Sequence, residues 1–108
     1  MKDSILKEAY GLVTGPRNAL YDHPADDYQR TVDIFYALTG IKLTPEEGIL
    51  FMLSVKLSRD RYARETNKLI EARRDSIVDI AGYTECYWQT LERNSNENQS
   101  KNHRRNPR

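Results

Sequence analysis

A chain of 108 residues holds one domain with a modest core, and 31% charged against 38% apolar residues suits a small helical protein. The net charge of +1 is uneven: from Asn94 on, Lys101, Arg104, Arg105 and Arg108 stand against Glu97, so the tail carries +3 and residues 1–93 carry −2. That mildly acidic body argues against a dedicated duplex-DNA binder, the single Cys86 rules out an intrachain disulfide or multi-cysteine zinc site, and no apolar run suits a signal peptide or bilayer span.

In chain order, Asp3 or Ser4 can cap a first helix running to about Val13, with Ile5, Leu6, Ala9, Leu12 and Val13 at helical spacing. Thr14-Gly15-Pro16 ends it, and a connection from Arg17 to Pro24 carries Tyr21-Asp22-His23-Pro24. Asp26 and Asp27 begin a second helix, where Tyr28, Val32, Phe35 and Leu38 form one apolar stripe. Gly40 supplies its left-handed stop, with Ile41 placed to fold back on the last turn.

Thr44-Pro45-Glu46-Glu47 is a capping box, with proline at N1 and acids in the positive first turn. The helix it launches is apolar nearly all round from Ile49 to Leu57, which predicts a central, buried element. From Arg59 to Arg74 the chain turns polar, helix giving way to a loop. The last helix starts near Arg73 or Asp75 and ends about Arg93, with Ile77, Ile80, Ala81, Thr84, Trp88 and Leu91 as its core stripe. Gly82 costs about 1 kcal/mol of helix propensity relative to alanine, which points to a close approach by another backbone or a ligand. The fold expected is all-α: a small four-helix bundle over residues 1–93, followed by a disordered basic tail over residues 94–108.

Two constellations carry chemistry. Lys56 and Arg59 lie three apart, and Asp75 and Asp79 four apart, so each pair shares a helix side that should be packed. Charge there must be paired or bound to something. Lys56 and Arg59 either lock onto Asp79 and Asp75 as ion pairs, or frame a phosphate while the aspartates share a magnesium ion. The second cluster is Arg17, Tyr21 and His23, able to stack a base and hold a phosphate; its plainer role is an ordered connection in which His23 caps the next helix. Tyr83, Tyr87 and Trp88 belong to a core or a partner-helix seam. No nucleophile–base motif, glycine-rich phosphate loop or zinc-ligand spacing occurs, so any catalysis would be metal-assisted through carboxylates.

The series Arg17…Tyr21-x-His23-Pro24, Thr44-Pro45-Glu46, Lys56-x-x-Arg59 and Arg74-Asp75-x-x-x-Asp79-Ile80-x-Gly82-Tyr83 resembles a family of short phage and prophage proteins of unknown function. It is also similar to the nucleotide-modification-associated helical domains of phages. The likeness covers about residues 5–90, and Asp22 stands where that pattern usually has glycine. A more distant likeness is to MazG-type all-helical nucleoside-triphosphate pyrophosphohydrolases. Their second acidic pair would fall at Asp75 and Asp79, while Lys56 and Arg59 replace their first.

The residues and the resemblance together lead to the expectation of a cytoplasmic protein of an infected or lysogenic bacterium that binds a nucleotide or other phosphate-bearing small molecule. Sequestration, including of a host immune signal, is suggested by basic groups standing where a hydrolase would have acids. Arg17, Lys56, Arg59 and Arg74 would neutralise phosphate. Tyr21, His23 and Tyr83 would meet the base or sugar, and Asp75 and Asp79 would orient the cations or hold magnesium. A homo-oligomer is expected, without membrane or nucleic-acid partners. The alternatives are a magnesium-dependent pyrophosphohydrolase and an interaction protein with a purely structural ion-pair core.

Overall fold

A computed structural model describes residues 4–15 and 22–105. Four helices account for nearly all of them: α1 (Ile5–Thr14), α2 (Pro24–Thr39), α3 (Pro45–Glu65) and α4 (Ile70–Arg105). The all-α class follows, and no strand occurs among the described residues.

Helix ends follow local chemistry. α2 begins two residues before Asp26, because His23 is the N-cap: its Nδ1 accepts the Ala25 N–H at 3.0 Å, and Pro24 takes N1. Gly40 closes α2 in the left-handed region at φ 74°, its N–H donating to the Tyr36 carbonyl. Ile41 does not fold back and stays 53% exposed. At the start of α3 both bonds of the capping box form: Thr44 Oγ1 accepts the Glu47 N–H at 3.2 Å, and Glu47 Oε1 accepts the Thr44 N–H at 2.9 Å. Asn67, left-handed at φ 55°, turns the chain after α3, and α4 starts at Ile70, ahead of Arg73.

α4 is the spine. It packs against α3 most extensively, then α1 and α2, while α2 also packs on α3. Ile49, Val32, Val78, Ala9, Ala25 and Ala63 form the buried core. α2 and α3 cross at Gly48, where a β-carbon would lie 2.9 Å from Val32 Cγ1 and 3.6 Å from Tyr28 Cδ1. α3 is therefore not buried all round. Its inner side is covered, but Leu50, Phe51 and Leu57 face outward, because α2 and α4 are the helices that cover it.

Much of the stripe expected as the core of α4 is likewise turned outward, while Ile80 and Ala81 are half-buried. Trp88 is 56% exposed, and Ile77, Thr84 and Leu91 are also exposed, while Val78 and Thr90 point inward. Apolar residues occupy more of the α4 circumference than α1–α3 can cover. α4 also runs past Arg93. Arg93 pairs with Asp26 at 2.7 Å and Asn94 donates to Glu46 at 2.7 Å, and the backbone stays helical to Arg105. Ser95 to Asn98 are exposed.

Candidate functional site

A cleft of about 300 Å³ opens where α1, the start of α2, α3 and α4 meet. Leu12 and Val13 come from α1, Pro24, Asp27 and Tyr28 from α2, Lys56 from α3, and Val78, Asp79, Gly82, Tyr83 and Cys86 from α4; Asp22 stands at the mouth of α2. On α4, positions 78, 79, 82, 83 and 86 follow helical spacing, so one side of the helix supplies the floor.

Lys56 Nζ contacts Asp79 Oδ2 at 2.9 Å in the wall of this cleft. Half of the expected ion-pair lock is thus present. The other half is rearranged: Arg59 and Asp75 are both exposed and make no ion pair among the described residues. The neighbouring register pairs instead, with Arg73 donating to both oxygens of Asp60 at 2.9 and 3.1 Å. That guanidinium holds the Asp60 carboxyl below the usual carboxylate range. Arg74 reaches across to Glu8 and pins α1 to α4. Asp75 and Asp79, four apart on α4, therefore diverge in use, one at the surface and one in the cleft. Among the described residues no group of three or more His, Cys, Asp or Glu converges for a metal ion.

Of the remaining expected residues, Tyr83 lines the cleft. His23 is spent on capping α2, the plainer of its two roles. Arg17 and Tyr21 lie outside the described residues.

Several cleft residues escaped the sequence reading. Tyr28 read as a core residue, yet its phenol meets Tyr83 and Cys86 across the cleft; burial, then these neighbours, push its ionisation well above the ordinary tyrosine range. Asp27 read as a helix-start acid and adds a carboxylate that has no ion-pair partner among the described residues. Asp22 sits at φ 72°, in the left-handed region that favours glycine. Its Oδ1 accepts the His23 N–H at 2.8 Å and its Oδ2 meets Arg30 at 3.3 Å, which together keep its carboxyl below the ordinary range. A signal for Tyr28 was available: it lies four residues before Val32 on the stripe of α2 that faces α3 and α4.

Gly82 resolves its own ambiguity. Among the described residues no other backbone comes near it, and a β-carbon there would meet Val13 Cγ2 at 3.6 Å, an ordinary contact. What the missing side chain leaves is room in the cleft floor. The cleft is thus a small aromatic and acidic hollow with one ammonium group, whose three donors are only partly used by Asp79.

A family model described as a domain of unknown function, DUF6378, matches residues 4–90. The chain is also similar to the Gene 55 protein of Mycobacterium phage D29, 30% identical over 86 residues, which cover 80% of this chain and 52% of that protein. The chain spans about half the length of that curated relative. These matches bear on the phage resemblance; neither concerns MazG-type enzymes or nucleotide-modification domains. No solved structure matches. No helix among the described residues is long and apolar enough to cross a membrane.

Proposed function

The chain belongs to the DUF6378 family, and on that premise we propose that it is a phage-type nucleotide-binding protein whose cleft takes the base end of its ligand. The carrying observation is the cleft itself, which sets the Lys56–Asp79 pair beside Tyr28 and Tyr83 in a hollow of about 300 Å³. That volume is at the lower end for small-molecule sites. Two phenol rings can pack a base, the Asp27 carboxylate can accept from a ring amino group, and Lys56 can keep Asp79 while donating to a phosphate.

This reading narrows the phosphate contacts. Arg59 is at the surface and Arg74 holds Glu8, so among the described residues Lys56 is the expected cation of the cleft, and Arg17 keeps its proposed phosphate role. Asp79 engaged by Lys56 and Asp75 outside the cleft favour holding a nucleotide over hydrolysing it. Sequestration of a nucleotide, a host immune signal included, is the physiological form this takes.

A thermal-shift screen of linear and cyclic nucleotides tests the proposal. A ligand at one hundred times its Kd adds about 2.7 kcal/mol of stability. The expected result is a shift for nucleotides with an amino-bearing base that weakens in Tyr83→Ala and in Lys56→Met. A panel without any shift overturns binding. Pyrophosphate release with magnesium, abolished by Asp79→Asn, would replace it with the hydrolase reading.

A further inference from the structure

We infer that a second copy of this chain docks along the outward stripe of α4, in an antiparallel pair centred near Thr84. The sequence presents Ile77, Ala81, Thr84, Trp88 and Leu91 at alternating spacings of four and three, the pattern by which one helix packs along another. The fold leaves most of this stripe uncovered: Trp88 is more than half exposed, Ile77, Thr84 and Leu91 are exposed with it, and Ala81 is half-buried.

Three observations point to a like copy as the occupant. First, the stripe is self-complementary about Thr84. Reversed on itself, it sets Ile77 against the partner's Leu91, and the small Ala81 against the partner's large Trp88. Such a contact closes on a two-fold axis. Second, ridge and groove lie on the same face. Leu6, Ala9 and Tyr10 of α1 join Ala81, Thr84, Glu85 and Trp88 to line a shallow, mostly apolar groove beside the stripe, able to receive the partner's Trp88. Leu6 is 74% exposed and Tyr10 62% exposed.

Third, the chain leaves more surface uncovered than a compact monomer of its mass. A compact monomer of 12.6 kDa exposes roughly 6,200 Å², whereas this chain exposes 8318 Å². That excess is shared between the end of α4 and the uncovered apolar faces, and a standard interface takes about 800 Å² from each partner.

A second apolar surface, Leu38, Phe51 and Leu57 on α2 and α3, competes for the same role. It is interspersed with charges such as Asp33, Glu47, Arg59 and Arg61, whereas α4 from Ser76 to Leu91 carries Asp79 and Glu85 and no cation. Depletion of charge marks the centre of an interface. The inference is independent of the cleft reading, because Asp79, Gly82, Tyr83 and Cys86 occupy the other side of α4.

Sedimentation of the full chain at tens of micromolar tests it. The expected mass is twice 12.6 kDa, falling to one copy in Trp88→Glu and separately in Tyr10→Lys, with helical circular dichroism kept, while Phe51→Glu stays dimeric. A monomeric wild type overturns the proposal, as does a dimer that survives both α1 and α4 variants or is broken by Phe51→Glu. Thr84→Cys in a Cys86→Ser background keeps the test decisive should Trp88→Glu not fold. Oxidation should cross-link it into a dimer, and failure to do so counts against an axis at Thr84.

Discussion

Lys56 has three donors and Asp79 takes one of them at 2.9 Å, with the two side chains 16% and 33% exposed. Removing the lysine leaves a half-buried carboxylate unpaired, so Lys56→Met should cost about 1–3 kcal/mol. Adding Asp79→Asn should return much of that loss in a urea-denaturation cycle. An additive result would mean that the two groups are not coupled. Tyr28 sets a second residue-level expectation. Burial disfavours its phenolate in the folded state, while the unfolded phenol ionises near 10.0. Stability from Tyr28 is therefore full below that pH and declines as pH rises beyond it. The denaturation midpoint should drop on passing upward through this range, and Tyr28→Phe should flatten the drop.

At the level of the helices, two glycines that look alike in sequence behave oppositely. Gly48 sits where α2 and α3 cross, and a β-carbon would press within 2.9 Å of Val32 Cγ1. Gly48→Ala should destabilise by about 1–3 kcal/mol through overpacking. Gly82 has ordinary room at 3.6 Å from Val13 Cγ2, so Gly82→Ala should raise helix stability by up to about 1 kcal/mol. Chemical denaturation of both variants reads the signs directly, and equal signs would contradict the crossing. The sequence flagged Gly82 and passed over Gly48, because Gly48 lies just inside a strong capping box and its role depends on which helix crosses there.

For the whole molecule, α4 passes from spine to projection near Asn94. Up to that point Arg93–Asp26 and Asn94–Glu46 tie it to α2 and α3. From Ser95 to Asn98 it is exposed, and a polar helix without packing is marginal in water. Truncation after Asn98 should change stability by less than about 0.5 kcal/mol, whereas ending the chain before Arg93 should lower the melting temperature measurably. Equal losses from the two truncations would show that the distal helix is part of the cooperative unit.

The sequence alone determined the helical class, the capping box at Thr44, the left-handed stop at Gly40 and the charged pattern around Lys56 and Asp79, because each depends on residues within a few positions or on helical spacing. It could not rank partners. Lys56 with Asp79 and Arg73 with Asp60 are cross-helix pairings, and the register of α3 on α4 selected them over Arg59 with Asp75. The packing of α2 on α3 and α4 likewise turned Tyr28 and Asp27 into the cleft, and the placing of α1–α3 around α4 left the Trp88 stripe outside. Periodicity tells which residues share a face of a helix; only packing decides whether that face meets the core, a cleft or a second molecule.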